Sequence, residues 1–169
     1  MSDMQLTGAK EHLFNADVRQ QIDSWVAKYP AGQSQSAVIP SLHIVQVAND
    51  GWLSQSVMDA LANYLSIPAI SVYEVASFYT MFDLKPVGSH KVNVCTNISC
   101  MLNGSEEMVS HLEKRLGVKL GETTQDGRFT LKEVECLGAC CGAPMMQLDR
   151  DYHEHLTTEK IDQILDGIK

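Results

Sequence analysis

Apolar positions recur at helical spacing through the first half of the chain and give way to short strand-like runs in the second. Val18, Ile22, Trp25, Val26 and Tyr29 fall on one helix face, and Pro30 ends the run. A second helix is predicted from just after Ser36, with Pro40 tolerated because it is still in the first turn. It carries Ile44, Val45 and Val47 and stops at Asn49-Asp50-Gly51. Ser54 is placed to cap a third helix, with Val57, Met58, Leu61 and Leu65 facing inward. Ser71-Val72-Tyr73-Glu74 has capping-box spacing and predicts the start of a fourth, with Val75, Phe78, Tyr79 and Phe82 as its buried stripe.

Past Lys85-Pro86-Val87-Gly88-Ser89, a segment with linker chemistry, the pattern alternates. Lys91 to Cys95 reads as a strand, and Ser105 to Leu116 as a helix with Met108, Leu112 and Leu116 on one side and Gly117 as its stop. Asp126-Gly127 is a turn signal, and Phe129 to Cys136 reads as a second strand. Met145 to Leu148 reads as a third strand, Asp149-Arg150-Asp151 as a turn, and the residues around Tyr152 as a short fourth strand. Thr157 is placed to cap a last helix bearing Ile161, Ile164, Leu165 and Ile168. The expected fold class is α+β. A helical N-terminal bundle over residues 1–85 precedes a small open sheet with helices over 86–169, in an α/β, thioredoxin-like layout.

Composition sharpens this division. Nine of the eleven aromatic residues precede residue 85, and all five cysteines follow it. The net charge of −8 is spread over both halves: 4 Lys/Arg against 8 Asp/Glu in residues 1–85, and 9 against 13 in the rest. A nucleic-acid partner needs a basic surface, which neither half offers. No apolar run is long enough to cross a bilayer, and Met1 to Glu11 lacks a basic-then-apolar leader pattern. The expected location is cytoplasmic, with no direct membrane insertion and attachment to a membrane only through a partner.

Five cysteines in a chain of this kind favour metal binding or thiol redox chemistry over a disulfide framework. Cys95 and Cys100 have four residues between them, Cys136 and Cys140 have three, and 35 residues separate the pairs. Cys95 and Cys136 each fall at the C-terminal end of a predicted strand. If those strands are neighbours, two thiol-bearing loops emerge side by side at one sheet edge. The second loop, Cys136-Leu137-Gly138-Ala139-Cys140-Cys141-Gly142-Ala143-Pro144, is built of small residues that let backbone approach a metal centre closely. Spacing leaves three chemistries open: an iron–sulfur cluster, a structural zinc and inert or redox thiols. It also leaves open whether Cys140 or Cys141 completes the set. The six histidines include no pair at i, i+4 spacing, and His153 and His155 read as solvated surface. No Ser/His/Asp grouping and no phosphate-cradling glycine loop is present in the sequence.

The flanks of these cysteines carry a resemblance. Cys95-Thr96-Asn97-Ile98-Ser99-Cys100 with Gly104-Ser105-Glu106-Glu107, and Glu135-Cys136-Leu137-Gly138-Ala139-Cys140 with Ala143-Pro144-Met145, closely resemble the thioredoxin-like [2Fe–2S] ferredoxin subunits of respiratory NADH:quinone oxidoreductase, complex I. Upstream, Gly51-Trp52-Leu53 and Ile70 to Tyr79 are similar to the helical N-terminal region of that family. The resemblance runs from about Ile39 to Leu156. It implies one [2Fe–2S] cluster on Cys95, Cys100, Cys136 and Cys140. It implies a partner subunit that binds FMN and NADH, further peripheral-arm subunits, and no complete substrate site on this chain. The same kind of subunit serves NAD-linked hydrogenases and formate dehydrogenases. Cys141 stands where the family more often has another residue.

Overall fold

The computed structural model describes residues 14–168 of the 169. The chain divides into two compact units, Met1–Pro86 and Val87–Lys169.

Among the described residues, the first unit holds four α-helices, α1 (Ala16–Val26), α2 (Val38–Ala48), α3 (Gln55–Leu65) and α4 (Ala69–Phe78), with a 3-10 turn, Ser34–Ala37, leading into α2. Asn15 caps α1 by accepting from Val18 N at 2.9 Å, and Ser54 caps α3 by accepting from Val57 N at 3.3 Å. Each cap satisfies a backbone donor that the first turn leaves without a partner. Ile22, Leu42, Leu53, Leu61 and Val72 meet in the core of this unit. Gln46, buried in this unit along with Ser41 and Asp83, is bonded twice: its Nε2 donates to Met81 O at 3.2 Å and its Oε1 accepts from Asp83 N at 2.8 Å. Those two bonds fasten the segment after α4 to α2.

Several expectations for this unit are corrected. Helix α1 ends at Val26, so Tyr29 lies outside it, and Trp25 is on the surface with Lys28 Nζ 3.3 Å above its ring. Val47 of α2 is also exposed. Helix α4 starts at Ala69 after Pro68, so Ser71 lies inside the first turn and is not the cap. The buried face of the helix also differs from the predicted stripe. Val72 and Ala76 face the core, Phe78 is 77% exposed and Tyr79 is exposed as well. Phe82 is buried, but from the segment beyond the helix.

The second unit is built on strands β1 (His90–Cys95), β2 (Phe129–Val134), β3 (Met146–Leu148) and β4 (Asp151–His153), in the order β2-β1-β3-β4. Strands β1 and β2 run parallel, and the other two pairings are antiparallel. A parallel pair needs a crossover, supplied here by α5 (Ile98–Leu102) and α6 (Ser105–Leu116). Helix α7 (Thr158–Asp166) is capped by Thr157, whose hydroxyl accepts from Lys160 N at 3.2 Å. Alternate strand residues Val92 and Val94, Phe129 and Leu131 pack with Met108 and Leu112 of α6 and Ile161 and Leu165 of α7. Asp149 turns β3 into β4 with a left-handed φ of 55°, and its carboxylate accepts from Lys91 N at 2.8 Å.

Candidate metal centre

Cys95 is the last residue of β1 and lies in register with Val134, the last residue of β2. The predicted extension of β2 to Cys136 does not form: the pairing with β1 ends at Cys95 and Val134, closed by Thr96 N donating to Val134 O at 3.4 Å. Cys136 therefore sits two residues past the strand, in the loop, and only Cys95 marks a true strand end. The two cysteine-bearing segments nevertheless leave neighbouring parallel strands at the same edge.

The first segment is helical where a loop was expected. Asn97 Oδ1 accepts from Ile98 N at 2.7 Å and starts the five-residue helix α5. That short turn aims Cys100 inward and leaves Ile98, Met101 and Leu102 exposed. Cys95 and Cys100 are 4% and 2% exposed and pack with Met145. Cys95 Sγ reaches Glu135 O at 3.9 Å, linking the first thiol to the start of the second segment.

Cys136, Cys140 and Cys141 are all exposed. Cys140 opens a single 3-10 turn, Cys140–Gly142. Gly138 has a φ of +75°, and its N–H donates to Cys136 Sγ at 3.3 Å. A left-handed φ of this kind is open to glycine without steric cost, so the residue type and the amide direction go together. Gly142 is required for a different reason: an added Cβ would stand 2.5 Å from the Glu154 Cβ. The residues after β4 hold the far side of this loop, where His155 N donates to Gly142 O at 2.6 Å and Leu156 N to Pro144 O at 2.9 Å.

Burial pushes the Cys100 thiol above its usual range, and its contact with Cys95 pushes further in the same direction. The nearby Cys95 and Cys140 sulfurs add to the shift, while a backbone hydrogen bond with Met145 opposes it. Cys95 and Cys140 are thus each within electrostatic reach of Cys100. Cys136 is tied to the second loop through the Gly138 amide. A thiol held up in this way ionises when a metal supplies the opposing charge. Among the described residues, no three His, Cys, Asp or Glu side chains are grouped tightly enough for one metal ion. Two further groups lie near the predicted ligands in sequence. Ser105 Oγ, at the start of α6, is buried with no partner among the described residues, and Tyr152 OH donates to Leu137 O at 2.8 Å. Sequence reasoning missed both. Asn97 was readable as a helix cap; Ser105 and Tyr152 had no local signal.

The donor set fits an iron–sulfur group: soft thiols at one sheet edge, a loop of small residues and a peptide N–H aimed at a sulfur. Fold and cysteine-bearing loops together define a thioredoxin-like domain that gathers thiols beyond the C-terminal ends of parallel strands. The chain belongs to the thioredoxin-like [2Fe-2S] ferredoxin family, whose model matches residues 22–169. It is 48% identical over 144 residues to an NADH-quinone oxidoreductase subunit from Rickettsia conorii, covering 85% of this chain and 86% of that protein. It is 47% identical over 148 residues to the mitochondrial NADH dehydrogenase [ubiquinone] flavoprotein 2 of Dictyostelium discoideum, covering 88% of this chain and 60% of that one. Among solved structures, an NAD+-reducing [NiFe]-hydrogenase in the H2-reduced state shares the fold with a TM-score of 0.67 at 20% identity, over 78% of this chain. This chain spans 22% of the length of that hydrogenase chain.

Proposed function

We propose that this protein is the iron–sulfur electron-transfer subunit of an NADH-quinone oxidoreductase, with its [2Fe–2S] cluster held by Cys95, Cys100, Cys136 and Cys140. The observation that carries this reading is the pairing of family membership with buried Cys95 and Cys100 beside the loop of Cys136 and Cys140. When bound, the cluster supplies a one-electron redox couple. Everything else falls to the chain's own residues. Cys95 and Cys100 present sulfurs from the packed side and exclude water there. Cys136 and Cys140 present sulfurs from the solvent side, and the Gly138 N–H offsets negative charge on Cys136.

Electrons are exchanged with FMN on a partner subunit that also binds NADH. Ile98, Met101 and Leu102, exposed on the helix that carries Cys100, offer an apolar contact surface for that partner. Among the described residues no helix is long and apolar enough to cross a membrane. Association with the inner membrane, on its cytoplasmic side, then runs through the rest of the complex.

The test is anaerobic purification of the full chain, followed by iron and acid-labile sulfide analysis and EPR of the reduced state. Equal iron and sulfide, lost in C140S and kept in C141S, is the expected result. Colourless protein with one zinc overturns the cluster. Cluster loss in C141S with retention in C140S overturns the ligand set. Co-purification with an NADH-oxidising flavoprotein tests the partner, and hydrogenase or formate dehydrogenase subunits in its place would reassign the host complex.

A further inference from the structure

The planar trans peptide between Leu137 and Gly138 points its C=O and its N–H in opposite directions. Both ends are engaged. The carbonyl accepts from Tyr152 OH at 2.8 Å, and the N–H donates to Cys136 Sγ at 3.3 Å. Tyr152 and Cys136 therefore grip one rigid unit from its two sides. The phenol belongs to the sheet and not to the loop: Tyr152 lies on β4 in register with Gln147 of β3. The turn between those strands is anchored to β1, where Asp149 N donates to Lys91 O at 2.9 Å and Asp149 Oδ1 accepts from Lys91 N at 2.8 Å. The donor's backbone is thus held by the sheet and not by the loop.

We infer that Tyr152 is a positioning residue that sets the strength of the Gly138 N–H···Cys136 hydrogen bond, and through it the reduction potential of the cluster; the inference rests on Cys136 being a ligand, as proposed above. Two effects act together. The phenol anchors the peptide on the side away from Cys136, next to a glycine whose Cβ position has no heavy atom within 4 Å to restrain it. Accepting a hydrogen bond at its carbonyl also polarises the amide and makes its N–H a better donor. A stronger N–H donor draws electron density from a thiolate ligand and favours the reduced, more negative state of a cluster.

The test is Tyr152→Phe in the full chain, which removes one oxygen from a side chain that is 49% exposed. Expected are unchanged iron and sulfide contents and a lower potential. At the wild-type midpoint the ratio of reduced to oxidised cluster should fall about threefold, equivalent to ~30 mV for a one-electron couple. The shift of the Fe–S stretching bands on transfer from H2O to D2O should shrink as well, which a general loosening of β4 would not produce. A cluster present at full content with unchanged ratio and unchanged isotope shift overturns the inference. Should Y152F not hold its cluster, the Gly138 amide proton resonance of the cluster-free chain reads the same peptide. Its displacement relative to wild type supports the inference, and an unmoved resonance overturns it. A wild-type chain that assembles no cluster refutes instead the function proposed above, and the amide resonance still reports on the peptide separately.

Discussion

The two cysteine pairs of the second unit are held by different kinds of structure. Cys95 and Cys100 are buried side chains on a strand and a short helix, packed with Met145. Cys136 and Cys140 are exposed side chains on an irregular loop, whose shape comes from backbone hydrogen bonds to the segment after β4 and from two glycines. The first pair is positioned by the same packing that stabilises the unit. The second is positioned by contacts that contribute little buried apolar area. A cluster shared by both would have one wall inside the fold and one wall open to solvent.

The largest expected effect separates these two walls. Cys100→Ser and Cys136→Ser should each abolish the cluster, with iron content as the readout. In cluster-free protein, C100S should also lower unfolding free energy by about 1–3 kcal/mol, because a hydroxyl replaces a buried thiol. C136S should change it by less than about 0.5 kcal/mol, as usual at an exposed site. Equal losses in urea titrations would erase the distinction.

Next in size is Gly142→Ala. Its Cβ would meet the Glu154 side chain, and overpacking of this sort costs about 1–3 kcal/mol. The loop should give way before the core does. Iron content should therefore fall, while the circular dichroism of helices and sheet stays that of the parent. A cooperative loss of the whole unit would show that the second wall is as deeply embedded as the first.

Ile98→Ser and Leu102→Ser probe the exposed face of the buried wall. Leu102 is 76% exposed, so stability of the isolated chain should move by no more than about 0.5 kcal/mol. Cluster content should be retained, and association with the proposed flavoprotein partner should weaken, measured by co-purification or titration. Destabilisation of the isolated chain would mean that α5 contributes to the fold from both of its faces.

The smallest effect lies away from the thiols, at the C-terminal end of α6. Lys119, hydrogen-bonded to Glu113 at 2.7 Å, holds that carboxyl below its usual range, and Glu113 in turn holds the Lys119 ammonium above its own. A lowered carboxylate contributes stability above its unfolded value of about 4.5 and loses it as pH falls through the folded value. A raised ammonium contributes below its unfolded value of about 10.5 and loses it as pH rises through the folded one. Glu113→Gln should therefore be slightly less stable than the parent near neutrality, with the difference vanishing in acid. Lys119 is solvent-exposed and Glu113 only partly covered, so the gap should be small and should shrink further with salt. Cluster content should not follow it.

Much of this was legible in the chain itself. Strands β1 and β3, helices α3, α6 and α7, and the caps Ser54 and Thr157 follow from periodicity and from residues that satisfy their own first turns. Those are local relations within a few residues, and the spacing of the cysteines, with their flanks, was enough to suggest the family. Tertiary structure decided the rest. Helix α5 is too short to show a period, so only the fold reveals that Cys100 turns inward while its neighbours face out. Strand β2 stops at Val134 because its partner strand stops, a fact held by β1 and not by β2. Pro68 starts α4 one turn earlier than Ser71 suggested, and the face that packs is that of Val72 and Ala76, which leaves Phe78 at the surface. The link from Tyr152 through a single peptide to Cys136 joins residues separated along the chain. A sequence determines which groups can donate and accept; which donor meets which acceptor depends on how strands pair across the sheet, and that is settled only when the whole unit packs.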